Sequence, residues 1–246
     1  RTWCLLANWM DKTLLRNDVA FEIASRCSGL AWTPKGEFVE LWLNGKDMGL
    51  YFLCPHISLG KDRVDGGKDG VIFELDTYYD EPYRFRSLID LPVMIKDFEA
   101  AESEPRGVMS VECFNFIKDA FLKAESLIKS AEAVRTEEYT EYFDLESLVD
   151  FYLVNEVVGN GELCHPKSTY LYYNGEDGKY YSGPVWDFDW AALSSSTGKA
   201  INTYLYFDAL FKIPEFNNKV SEFVNDEFIS LNSTLSKIDD TKQKIP

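Results

Sequence analysis

The sequence predicts an α+β protein in two parts, and three observations carry that expectation. Alternating and apolar runs bounded by turn residues fill the first hundred positions, the apolar period lengthens to that of a helix from Val108, and a late pair of aromatic strands interrupts the helical part. The expected arrangement is a sheet-rich part with one helix over residues 1–100 and a helix-rich part over 101–246, forming two lobes that share a cleft. With 246 residues and 28.3 kDa, the chain is large enough for such a core without disulfide staples.

Residues 11 to 28 place Leu14, Leu15, Val19, Phe21, Ile23 and Ala24 at helical spacing, with Asp11 as the expected N-cap and Gly29 as the stop. Phe38–Leu43 and Met48–Leu53 read as a hairpin joined at Asn44-Gly45, since Asn-Gly supplies the positive φ angles a two-residue turn requires. Gly66-Gly67-Lys68-Asp69-Gly70 lacks phosphate-loop spacing and reads as a flexible turn leading to strands at Val71–Asp76 and Leu91–Lys96. Beyond Val108, the stripe Phe114, Ile117, Phe121, Leu122, Leu127 and Ile128 predicts one helix. Asp144 then opens a second over Leu145–Val158, closed by Gly159. Aromatic strands at 168–173 and 179–185 flank the turn at Asn174–Gly178, and the chain reads as helical from about Tyr204 to Ile238.

The charge balance of 25 basic against 41 acidic residues, −16, opposes a broad grip on nucleic acid or anionic lipid and leaves room only for a local basic pocket. No stretch approaches the ~20 apolar residues of a membrane span, and 46% hydrophobic residues exclude a disordered chain. Five scattered cysteines without a C-x-x-C pair write neither a zinc knuckle nor a disulfide framework. Opening at Arg1 without a leader, the chain reads as a piece of a longer protein.

Candidate chemistry begins at Gly183-Pro-Val-Trp-Asp187-Phe-Asp189-Trp190. If the segment is extended, both acids point to one face, and their repulsion is removed by a divalent cation; Mg²⁺ or Mn²⁺ prefers one or two such carboxylates plus substrate phosphates. The plainer alternative is a strand end whose acids cap a turn. Upstream, in Asn160-Gly-Glu162-Leu-Cys-His165, Glu162 fits a general base and Asn160 a neutral oxygen for a second metal, the division of labour that phosphoryl transfer needs. The alternative has Asn160 and Gly161 cap a helix and Glu162 in solvent. Lys96 is expected at a sheet edge facing the cleft, either pairing with phosphate or deterring edge aggregation. Arg16 reads either as the partner of a buried acid such as Glu74 or Asp76 or as an exposed cation.

Several strings occur together and in order: Thr13-Leu-Leu-Arg16 to Phe21, Phe38 to Gly45 with Gly49-Leu-Tyr51, Gly70 to Asp76 with Leu91 to Lys96, Asn155-Glu156 with Asn160-x-Glu162 and His165-Pro-Lys-Ser168, and Gly183 to Asp189. In this the chain resembles the spore coat protein H (CotH) kinase family over nearly its whole length. The resemblance implies a two-lobed atypical protein-kinase-like fold that uses ATP with Mg²⁺ or Mn²⁺ to phosphorylate Ser or Thr hydroxyls of proteins, in an extracellular or envelope setting. It implies that Glu162 and Asp187 are catalytic, that Lys96, Arg16 and Asn160 bind the cofactor, and that Asp187, Asp189 and Asn160 hold metal. Three positions depart from the family pattern: Glu162 stands where Asp is commoner, Leu53-Cys54-Pro55-His56 lacks the acid usual after Gly49-Leu-Tyr51, and Trp190-Ala-Ala-Leu193 lacks a Gly. The rival expectations are a catalytically silent surface module that binds protein or glycan and, from D-x-D strings elsewhere, a metal-dependent sugar-nucleotide transferase.

Overall fold

A computed structural model describes residues 2–99, 107–130, 136–194, 201–226, 238–239 and 241. These form a mixed α+β structure with two antiparallel sheets and five α-helices among the described residues. The small sheet joins β1 (Trp3–Leu6), β2 (Glu37–Leu43) and β3 (Lys46–Pro55) in the order β1-β3-β2. The large one joins β4 (Val71–Leu75), β5 (Arg84–Arg86), β6 (Pro92–Phe98), β7 (Thr169–Asn174) and β8 (Lys179–Ser182) in the order β5-β6-β4-β7-β8. This sheet thus takes strands from both sides of residue 100. The predicted hairpin is β2-β3, turning at Asn44 and Gly45 with φ of 51° and 77°. Strands β1 and β5 were not predicted, being only four and three residues long.

The helices are α1 (Arg16–Ala24), α2 (Val111–Lys129), α3 (Leu145–Val158), α4 (Phe207–Leu210) and α5 (Pro214–Asp226). The expected helix over 11–28 is shorter, because Asp11 organises a turn before it: its carboxylate accepts the Thr13 N–H at 2.9 Å, the Thr13 hydroxyl at 2.7 Å and the Arg16 N–H at 2.8 Å. Gly29 is no helix stop either. Its missing Cβ lets the chain approach α3, where an added Cβ would lie 2.6 Å from the Glu146 carbonyl carbon. The expected helix from Tyr204 resolves into α4 and α5, and positions 227–237 lie outside the described residues. The Gly66–Gly70 stretch, expected as a free turn, is pinned to the β7-β8 turn by the Gly175 N–H donating to the Gly66 carbonyl at 2.9 Å.

Strand alternation divides the large sheet into two faces. Phe73, Leu75, Phe85, Val93, Ile95, Leu171 and Tyr180 enter the main core, where Phe121 of α2 lies 5.3 Å from both Phe73 and Phe85. Helix α3 is buried nearly all round, the property of a central helix. The opposite face carries Ile72, Glu74, Met94, Lys96, Tyr170 and Tyr172; Ile57 and Val64 pack on it in a second apolar cluster, and of these six only Lys96 is partly exposed. Its polar residues form the site.

Helix α3 begins as the sequence predicts. The Asp144 carboxylate accepts the Ser147 N–H at 2.7 Å, and Gly159 closes the helix at φ 61°. We expect Asp144→Ala to cost about 1 kcal/mol, the usual value of a lost N-cap, read as a lower urea midpoint at unchanged slope.

Candidate functional site

The segment Trp186–Trp190 is not extended, as the spacing argument assumed. Asp187 adopts a left-handed φ of 58°, which Asp tolerates better than most residues, so strand alternation does not aim its side chain. The turn nonetheless brings Asp187 and Asp189 close enough for their carboxyl groups to interact. Burial first, then the neighbouring Asp189 carboxylate, push Asp187 up to about 6. Ser168, itself at φ 45°, donates its hydroxyl to Asp187 Oδ2 at 3.5 Å. Left-handed residues on both sides of one contact are local strain of the kind that gathers at functional sites.

Glu162 is not solvated, the plainer alternative for it, but buried in a 3₁₀ turn over Gly161–Cys164. Its backbone N–H donates to Asn160 Oδ1 at 3.2 Å, while Asn160 Nδ2 donates to Asn155 Oδ1 at 2.9 Å. The loop therefore hangs from the C-terminal turn of α3. Burial, then the Asp187 charge, push Glu162 up to about 7; Lys167 opposes this, and Asp189 and Asp76 add to it. Asp76 accepts the Ser168 N–H at 3.2 Å and the Tyr78 N–H at 2.7 Å, fixing the loop beside Asp187. Among the described residues no group of three or more His, Cys, Asp and Glu side chains is gathered to hold an ion alone. The carboxylates of Asp187 and Asp189 are the donor type that Mg²⁺ or Mn²⁺ accepts, an ion that takes one or two of them and completes its shell with water and phosphate.

Strand β6 is not an edge strand as a whole, since it lies between β5 and β4, but β5 pairs only with Pro92–Met94, and Lys96 sits beyond that pairing, where the register slips between Ile72 and Phe73, a bulge that re-aims its side chain. Its ammonium lies 2.7 Å from Glu81 Oε1 and 3.0 Å from Glu74 Oε2, so Lys96 has two acidic partners although no acid follows Tyr51 closely. Burial pulls this amine down, but the bonds and charges of Glu81 and Glu74 outweigh it and hold it above the ordinary lysine range. Glu74 is raised by burial and opposed by a hydrogen bond from Tyr170, its cross-strand neighbour. Tyr170 feels the charges of Glu74, Asp76 and Asp187, which connects the lysine to the acids along one sheet face.

Arg16 meets neither Glu74 nor Asp76. It pairs with Asp11, Nε to Oδ1 at 3.5 Å, and donates through a terminal nitrogen to the Asp189 carbonyl at 2.9 Å. His165 sets its ring 5.7 Å from that of Trp190. A separate cavity of about 500 Å³ opens at Asp144, Leu145 and Glu146. That is the far end of α3 from Asn160, roughly 20 Å away at 1.5 Å per residue, and no sequence-predicted site residue lines it.

Glu74 and Glu81 were missed as site residues, although one signal was readable. Glu74 interrupts an otherwise apolar strand and Asp76 directly follows it, and buried charges are retained only with partners.

This site stands in a fold whose whole length answers to one family: the model described as CotH kinase protein matches residues 1–245. The chain belongs to the CotH kinase family, a family of kinase-like phosphotransferases. No curated relative matches it. Among the described residues no helix is long and apolar enough to cross a membrane.

Proposed function

We propose that this protein is an ATP-dependent phosphotransferase, acting with Mg²⁺ or Mn²⁺ on Ser or Thr hydroxyls of a protein acceptor, in a two-lobed kinase-like arrangement. One observation carries the reading: buried Glu162 and half-buried Asp187, 25 positions apart in sequence, lie close enough that the Asp187 charge adds to burial in raising Glu162, as an acid–base site requires. Asp187 and Asp189 hold the metal, and Asn160 keeps a lone pair on Oδ1 beyond the one given to the Glu162 N–H. The bound ion supplies the positive charge that neutralises phosphate oxygens. Glu162 takes the proton from the acceptor hydroxyl, and Lys96, steadied by Glu74 and Glu81, orients phosphate. Arg16 serves nucleotide binding indirectly, by fixing the Asp189 carbonyl. An extracellular or envelope location follows from the family alone.

The test is transfer of label from γ-labelled ATP to a Ser-rich protein pool with Mn²⁺. Transfer that disappears with chelator and falls about a hundredfold in Lys96→Met supports the reading, that being the scale of losing one positioning contact. Nucleotide-independent behaviour, with no thermal stabilisation by ATP and Mn²⁺, refutes it. Lys96's two acidic partners favour this reading over a silent binding module. Stabilisation by a sugar nucleotide in place of ATP would favour the glycosyl alternative.

A further inference from the structure

The acids at 187 and 189 converge although their charges repel, so something must hold the turn that carries them. It is not held by its own strand: β8 ends at Ser182, and the chain passes a cis Gly183-Pro184 bond before the turn. The grip comes from the other end of the sequence. The Phe188 N–H, between the two acids, donates to Asn17 Oδ1 at 2.7 Å. Asn17 is 2% exposed, and its Nδ2 donates to Asn8 Oδ1 at 2.8 Å, which sets the amide with its oxygen toward Phe188. Asn8, 5% exposed and at φ 46°, is itself fixed by Nδ2 donating to the Leu14 carbonyl at 2.9 Å. Beside this line, the Met10 N–H donates to Asp189 Oδ2 at 3.3 Å and Arg16 donates to the Asp189 carbonyl. The Phe188 ring, 1% exposed, lies 6.1 Å from Phe21 of α1.

We infer that Asn17, braced by Asn8, is a positioning residue of the metal site, holding the Phe188 N–H so that Asp187 and Asp189 stay convergent. The inference rests on the reading of these two acids as metal ligands. A neutral amide suits this place: it accepts the buried N–H without adding a third negative charge beside two carboxylates, and its own donor is spent on Asn8. An aliphatic residue of the same size would leave a buried N–H and the Asn8 oxygen without partners and free the turn to relax under the repulsion.

The experiment is calorimetric titration of the folded protein with Mn²⁺ alone, beside thermal melts without metal, for wild type, Asp187→Ala, Asn17→Leu and Asn8→Ala. Asn17→Leu is expected to weaken Mn²⁺ binding roughly 10–100-fold, the range typical of residues that orient metal ligands, and Asn8→Ala, one hydrogen bond further from the acids, by about threefold. A purely structural role would lower the melting temperature and leave the Mn²⁺ affinity of the folded protein unchanged, and that result overturns the inference. Wild-type binding that is lost in Asp187→Ala but unchanged in Asn17→Leu overturns it alone. A wild type that binds no Mn²⁺, or Asp187→Ala binding as wild type does, overturns the metal reading together with it. If Asn17→Leu does not fold, Asn8→Ala carries the test, and unchanged affinity there decides against the inference.

Discussion

Asp187→Asn is expected to abolish Mn²⁺-dependent stabilisation by ATP and to lower phosphate transfer by about a thousandfold, the scale of removing a main source of charge stabilisation from a phosphoryl-transfer site. The change keeps the shape of the side chain and removes only its negative charge, so the loss reads on charge and not on packing. Stability should move the other way. In the folded protein Asp187 is held up to about 6 by burial and by Asp189, so its ionised form is disfavoured there relative to the unfolded chain. A neutral amide removes that repulsion. At pH 8 without metal, the variant should melt at or about 2–4 °C above wild type, the shift that roughly 1 kcal/mol gives in a domain of this size. A variant that is both inactive and less stable would mean that Asp187 mainly anchors the turn, through Ser168. Stability gained as function is lost is the signature of a residue kept for chemistry.

Local signals made much of the frame legible. Asn44-Gly45 specifies a turn by its backbone requirement, and Asp144 with Gly159 marks both ends of α3, because caps and turns are decided by a few neighbouring atoms. The helix at 11–28 went wrong for a related reason: the Asp11 side chain competes with the helix by bonding forward to Thr13 and Arg16, and periodicity does not register that competition. Strand order is a long-range property: nothing near residue 96 announces that residues 84–86 add one more strand outside β6, covering Pro92–Met94 and leaving Lys96 beyond it. Asp187 and Asp189 were identified as a pair on an assumption of extended backbone that does not hold, yet the pair exists, brought together by the turn and gripped from residues 8–17. That grip was invisible in the sequence because Asn17 lies 171 positions from Phe188. The partners of Lys96 were missed likewise, the family pattern directing attention to the position after Tyr51 and not to the neighbouring strand.

Glu162 ties rate and stability to pH in opposite directions. Held up to about 7 by burial and by Asp187, it is protonated over much of the acidic range, and a protonated carboxyl cannot accept the acceptor's hydrogen. Transfer should therefore rise about tenfold per pH unit below pH 7 and level off above it, with Asp187 steepening the fall below pH 6. The folded state holds this proton more tightly than the unfolded chain, whose glutamate titrates near 4.5. Its contribution to stability is thus full below pH 4.5 and is lost as pH rises through 7, where activity is gained. Glu162→Gln should remove the limb near pH 7, lower the plateau by about 10²–10⁴-fold, and melt higher than wild type at pH 8. Glu162→Asp tests reach: the loop is built around the longer side chain, and withdrawing the carboxyl by about 1.5 Å should cost on the order of a hundredfold in rate while the pH limb persists. Because the Asp187 charge is the second cause of the raised value, saturating Mn²⁺ should move the limb to lower pH. A limb that stays in place in Mn²⁺ but vanishes in Glu162→Gln would mean that the metal and the base occupy separate environments, and that burial alone sets the proton affinity of this carboxyl.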